Sequence, residues 1–172
     1  DKVSIIVRTC GRPEVLRGAL ESIRKQTYPD VETVVIEDGL EISRQMICTE
    51  YSDLQLRYIS TGKRVGRAKA GNLGMKVAQG KYLNFLDDDD VLYPEHIEIL
   101  LQTLQSAEEK AVYSVAEEAA AIYRKRKRTF YDVRKKVRFR EPFNRMYLLH
   151  TNYLPIQSVM FEKSLFEQYG GF

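Results

Sequence analysis

The chain has no apolar run near the roughly 20 residues of a membrane-spanning helix, no internal repeat and no Walker-type phosphate loop. Those absences exclude an integral helical membrane segment, a solenoid and P-loop nucleotide chemistry. It is also poor in cysteine: Cys10 and Cys48 lack the spacing of metal ligands. No leader-like pattern precedes the strand-like Val3-Ser4-Ile5-Ile6-Val7, so both thiols are expected to stay reduced and the chain to be cytoplasmic. A catalytic thiol at Cys10 has no supporting partner in the sequence. With 172 residues and 44% hydrophobic content, the chain is expected to form one domain around one core.

Charge is scarce in net terms and concentrated in place. The net charge is +3, yet residues 124–140 hold ten Lys or Arg and one acid, Asp132, which leaves the rest of the chain at −6. Such a block can meet anionic lipid head groups, nucleic acid or a phosphorylated acceptor, or it can form a solvated hairpin or loop.

What is present is alternation. Strand patterns occur at Val3 to Val7, Thr33 to Ile36, Leu56 to Ser60, Tyr82 to Leu86 and around Ala111 to Val115. Helical patterns lie between them. One follows Pro13 and carries Val15, Leu16, Ala19, Leu20 and Ile23 on one face; another spans Gly66 to Gln79, where Ala68, Ala70, Gly71 and Gly74 permit close approach and Gly80 marks the end. A third starts at Pro94 with Ile97, Leu100, Leu101 and Leu104. This order predicts an α/β fold with a mostly parallel sheet flanked by helices. Regularity fades after Val115; Ile156 to Phe161 reads as a strand and Lys163 to Tyr169 as a short helix.

The densest chemical feature is the run Asp87-Asp88-Asp89-Asp90, directly after the apolar Tyr82 to Leu86. Adjacent carboxylates repel one another, so a fold keeps them solvated or gives them a shared cation. A solvated turn capping the next helix is one reading. Placement at a strand end favours another, because open α/β sheets bind ligands there. In a parallel sheet, Arg8-Thr9-Cys10-Gly11 and Glu37-Asp38-Gly39 would share the rim with the aspartates. Two carboxylates and a diphosphate can jointly hold Mg2+ or Mn2+ through hard oxygens, and Lys63, Arg64, Arg67 and Lys69 could add positive charge.

In order and spacing these segments resemble glycosyltransferase family 2. The resemblance rests on Val3 to Thr9, on Leu20-Glu21-Ser22-Ile23-Arg24-Lys25-Gln26-Thr27-Tyr28-Pro29, on Val35 to Gly39, on Gly66 to Asn72 and on Gly80 to Asp90. It implies the Rossmann-like GT-A fold over 1–172, with a nucleotide-sugar-binding part (1–115) and a partial, irregular acceptor-side part (116–172). It further implies that Arg8 and Thr9 lie against the nucleotide and Asp38 against the base, with Asp89 and Asp87 as metal ligands for Mn2+ or Mg2+. Asp87 and Asp88 would also serve the ribose or diphosphate, while Asp90 serves the following turn. Asn72 matches a recurrent position, but Gly71 stands where an Arg often precedes it, so Arg67 or Lys69 would supply the phosphate contact. The implied reaction is inverting transfer of a sugar from a nucleoside diphosphate, UDP first, to a glycan or lipid-linked acceptor in polysaccharide or glycoconjugate synthesis. The basic block would touch an anionic membrane surface; no nucleic-acid partner is implied. The general base would follow the Gly-Gly-Phe landmark, beyond Phe172, since Glu162 and Glu167 do not match its position. His150 could line the acceptor side and His96 is expected to be structural or exposed. The alternatives are a binding-only module that lacks the base, and a phosphotransfer domain, for which the sequence offers no switch residue.

Overall fold

In the first strand, β1 (Val3–Thr9), alternate residues separate into two cores. Val3, Ile5 and Val7 pack on one side, while Ile6 packs on the other with Val34 and Phe85. The strands that follow are β2 (Val31–Glu37), β3 (Leu56–Ser60), β4 (Tyr82–Asp87), β5 (Ala111–Tyr113), β6 (Ala116–Arg124), β7 (Thr129–Phe139) and β8 (Val159–Glu162). The computed structural model describes residues 1–124 and 129–172, of which 119–124 and 129–137 are described by backbone alone.

Six strands form one sheet in the order β3-β2-β1-β4-β8-β5. The pairings β1–β2, β1–β4 and β2–β3 are parallel, and β8 runs antiparallel to both β4 and β5. One face is covered by α1 (Pro13–Arg24), α2 (Arg44–Glu50) and α4 (His96–Gln105), which bury Leu16, Leu20, Met46, Ile47, Ile97 and Leu100. The other face is covered by α3 (Arg67–Val77), through Ala70 and Met75, and by α6 (Lys163–Tyr169), through Phe166. A six-residue helix, α5 (Arg145–His150), buries no side chain and is capped by Asn144, whose side chain accepts from the Tyr147 N–H. No helix among the described residues is long and apolar enough to cross a membrane.

The expected mostly parallel α/β sheet is present, with several boundaries moved. α4 starts at His96, because Pro94 and Glu95 are taken up by the preceding turn. Ile156–Ser158 is a single 3-10 turn, so strand β8 begins at Val159. α2 was not legible: seven residues with two buried side chains are too short to show a period. β6 and β7 pair antiparallel. Within the basic block, residues 125–128 lie outside the described residues.

Gly80 does not cap α3, which already ends at Val77 with Ala78 as its C-cap. It is needed for space instead. A Cβ there would lie 2.6 Å from the Ser4 backbone nitrogen and 2.9 Å from the Lys2 carbonyl, and the Gly80 N–H donates to Ser4 Oγ at 2.8 Å. Because the obstacle is backbone of the central strand, Gly80→Ala should destabilise by about 1–3 kcal/mol. Urea melts would check this, and an unchanged midpoint would contradict it.

Candidate functional site

β1 is the point where the connections change direction, with β2 hydrogen-bonded on one side and β4 on the other. Beyond such a switch point the loops separate and leave a crevice at the carboxyl ends of the strands. In register, Arg8 lies opposite Asp87 of β4, and Thr9 opposite Glu37 of β2. The crevice has a volume of about 140 Å3 and is lined by Arg8, Thr9, Cys10, Arg12, Asp38, Arg67, Ala70 and Asp87 to Asp89. The three polar strand ends therefore meet at one place.

The four aspartates are in four different situations. Asp87 Oδ1 accepts from Arg8 Nε at 2.9 Å and Nη2 at 2.6 Å, and the Arg8 guanidinium lies 5.2 Å from the centre of the Phe85 ring. Asp88 is buried, accepts from Thr9 Oγ1 at 2.7 Å and is clamped by Arg12 through Nε and Nη2. Burial, aided by Asp89, raises its pKa against the pull of Thr9 and Arg12. Asp89 is half-exposed and, among the described residues, pairs with the far arm of Arg12 at 3.4 Å. Asp90 is partly buried, and burial and then its three acidic neighbours push its pKa up to about 6.

Glu37 and Asp38 hold the loops. The Glu37 carboxylate is fully buried and accepts from the Gly11 N–H, the Ser43 N–H, Ser43 Oγ and Tyr58 Oη. Asp38 accepts from the Val65 N–H at 2.6 Å and the Gly66 N–H at 3.0 Å, which fixes the loop entering α3. Its carboxylate has further lone pairs for another donor. A second recess of about 260 Å3 opens beside it, between Cys10, Gly39 and Leu40 on one side and Lys63 and Arg64 on the other.

Of the residues singled out in the sequence, Arg8, Thr9, Asp38, Arg67 and Asp87 to Asp89 come together, whereas Lys69 and Asn72 do not line the crevice. Lys69 is exposed. Asn72 binds the backbone of Phe172 on both sides, accepting from its N–H at 2.9 Å and donating to its carbonyl at 3.1 Å. The Phe172 ring packs on Phe85 with centres 5.6 Å apart, so Asn72 anchors the Gly-Gly-Phe segment. Sequence reading missed Arg12 and the structural role of Glu37. Arg12 carried no local signal, since its partners lie 76 and 77 positions away.

Cys10 lines the crevice and donates through Sγ to the Asp38 carbonyl at 3.1 Å. Glu162 accepts from Ser164 Oγ, and Glu167 and His150 are exposed. His96 is largely buried, and burial lowers its pKa below 6.5 against a hydrogen bond with the Gln157 backbone. The unfolded chain binds a proton that the folded chain resists, so this contribution to stability is present above pH 6.5 and lost as pH falls. Thermal melts from about pH 7.5 to about pH 5.5 should cost the wild type more than His96→Gln. Parallel losses would acquit His96.

Among the described residues no group of three His, Cys, Asp or Glu is arranged to hold a metal ion. The donor chemistry nevertheless suits a hard divalent cation whose remaining ligands come from a diphosphate and water. Asp89 is accessible and weakly paired, and Asp87 has its Oδ2 outside the Arg8 contacts, whereas Asp88 is saturated.

Residues 4–170 match the model of glycosyl transferase family 2. The chain belongs to that family. Among its relatives, the glycosyltransferase YwdF of Bacillus subtilis, uncharacterised, is 31% identical over 99% of this chain and 62% of its own length. Glycosyltransferase GlyG of Streptococcus pneumoniae serotype 4 is 30% identical over 64% of this chain and 37% of its own length. The chain thus spans from about a third to under two thirds of these family members. Structures similar to this family 2 chain include S. aureus TarS with UDP-GlcNAc (TM-score 0.71, 18% identity, 98% of this chain and 47% of that one). The mannosyltransferase PcManGT of Pyrobaculum calidifontis with GDP-Man and Mn2+ gives the same TM-score at 19% identity, over 99% of this chain and 47% of that one. They confirm the GT-A fold.

Proposed function

We propose that this family 2 chain binds a nucleoside diphosphate sugar in the β1/β4 crevice and passes the sugar, with inversion, to an acceptor hydroxyl in glycan or glycoconjugate synthesis. The observation that carries the reading is the convergence of Arg8, Thr9, Asp38, Arg67 and Asp87 to Asp89 on one crevice at the switch point. The base fits the recess beside Asp38 and Gly39, whose floor is backbone held by Glu37. Arg67, at the first turn of α3, faces the crevice and takes the phosphate role expected of Arg67 or Lys69. Arg12 adds a second guanidinium, which can turn from Asp88 and Asp89 toward incoming phosphate oxygens. Asp89, with Asp87, would hold Mn2+ or Mg2+. A cation bound there supplies positive charge for the diphosphate as it leaves.

TarS is seen with UDP and with UDP-GlcNAc, and PcManGT with GDP-Man, which supports the nucleotide class while leaving UDP as the first base to try. The acceptor hydroxyl must lose a proton as it attacks, a task for a carboxylate following the Gly170-Gly171-Phe172 segment that Asn72 holds against α3. The basic block at 124–140 would draw the protein to an anionic lipid surface, in keeping with a lipid-linked acceptor. Calorimetry with UDP, GDP and TDP, each with and without Mn2+, tests the reading. One nucleotide should bind in a metal-dependent manner and yield to Arg12→Ala and Arg67→Ala. Failure of all three nucleotides to bind would sink it.

A further inference from the structure

Two arginines pair with the aspartate turn, and they are held differently. Arg8 is buried, bonds Asp87 through Nε and Nη2 and lies over the Phe85 ring, so it is part of the crevice wall. Arg12 stands on the loop between β1 and α1, at the N-cap of that helix, and its side chain is half-exposed. It reaches Asp88 through Nε at 3.1 Å and through Nη2, and Asp89 through Nη1 at 3.4 Å. All three nitrogens of one guanidinium therefore face acid, spread over two adjacent carboxylates.

Neighbouring carboxylates repel unless water or a cation lies between them, and here the cation is Arg12. Its position sets two demands against each other. Asp89, the leading ligand for a divalent ion, has Oδ2 turned to the guanidinium, and a positive charge already placed there opposes a second one. A diphosphate meets the opposite response, because a planar guanidinium fork suits paired phosphate oxygens as well as it suits carboxylates. The half-exposed side chain can make that exchange by rotating about its own bonds, with β1 and α1 left in place. Asp89 then recovers its full charge on the side facing the crevice.

We propose that Arg12 is a built-in counter-cation that guards the Asp88 and Asp89 pair against free divalent metal, and that a nucleoside diphosphate opens the pair by drawing the guanidinium to its phosphate oxygens. Metal and nucleotide binding are thereby coupled through one side chain, each favouring the other by the same factor. The proposal rests on the reading above, in which this crevice takes a nucleoside diphosphate and Asp89 a divalent cation.

The test measures metal alone by electron paramagnetic resonance of free Mn2+, and UDP with and without Mn2+ by calorimetry. Arg12→Gln should tighten Mn2+ binding in the absence of nucleotide by about tenfold, roughly what removing a unit charge beside the ligand returns to a divalent cation in water-like surroundings. The same variant should weaken UDP binding in the presence of Mn2+. Opposite signs are the signature, since a guanidinium that only braced the fold would weaken both when lost. The gain in Mn2+ affinity should vanish when Asp89→Ala is added. Arg12→Lys keeps a charge but lacks the fork that spans two carboxylates, so it should show a smaller gain; it carries the test if thermal melts find Arg12→Gln poorly folded. Mn2+ affinity that is unchanged or lower in folded Arg12 variants, or a gain that survives Asp89→Ala, overturns the proposal. Metal-dependent UDP binding without the Mn2+ gain removes the role of Arg12 and spares the donor reading. The Mn2+ gain in a protein that binds none of UDP, GDP and TDP sinks the donor reading and the opening by diphosphate, and leaves the guard against free metal standing.

Discussion

Replacing Asp89 by alanine should abolish the divalent-metal dependence of nucleoside diphosphate binding. In the wild type, Mn2+ should strengthen UDP binding, and losing a metal ligand should cost metal affinity at least the roughly 10- to 100-fold that losing an outer-shell partner does. In Asp89→Ala, affinities with and without Mn2+ should coincide. Folding should be unaffected, since the Asp89 side chain is half-exposed and its ion pair with Arg12 is long, at 3.4 Å. Asp88→Ala is a contrasting case. Asp88 is buried under Thr9 and Arg12, so its loss frees a guanidinium and a hydroxyl and should lower the melting temperature as well. Calorimetry beside thermal melts separates the two. A metal effect that survives in Asp89→Ala would remove Asp89 from the cation site.

Glu37→Ala should be among the most damaging single substitutions for stability, at about 3–5 kcal/mol. Four donors from three segments converge on this one carboxylate: the Gly11 N–H after β1, the Ser43 N–H and hydroxyl at the start of α2, and the Tyr58 hydroxyl in β3. Alanine leaves a cavity and several buried donors unpaired, each worth about 1–3 kcal/mol before relaxation. Glu37→Gln keeps the volume and one acceptor oxygen but turns an NH2 group toward donors, so it should fall between wild type and alanine. Because Gly11 lines the recess proposed for the base, nucleotide affinity should fall in step with stability. Urea denaturation would check the ordering, and an alanine variant within about 1 kcal/mol of wild type would refute the role assigned to Glu37.

The legible parts of this protein were those with local causes. Short apolar runs such as Val3 to Val7 and Tyr82 to Leu86 name buried strands wherever they are placed, and the apolar stripe on α1 names a covering helix. The aspartate run announced a site because like charges at adjacent positions need a reason. α2 has no such signature because seven residues cannot display a helical period, and Gly80 reads as a helix stop because a glycine's need for space shows only against its neighbour, here the backbone of Lys2 and Ser4.

By itself the sequence determined an α/β sheet, the strands that carry Arg8, Thr9, Asp38 and the aspartates, and membership of a family that the match over residues 4–170 confirmed. Only the tertiary structure decided how those residues divide their work. It paired Asp87 with Arg8, buried Asp88 under Arg12, left Asp89 open to solvent and turned Asn72 toward Phe172. The reason is physical: burial, charge pairing and hydrogen-bond satisfaction depend on distances between segments that lie some 76 to 100 positions apart in the chain. A residue's type states what it can do, and its neighbours across the fold select which of those things it does.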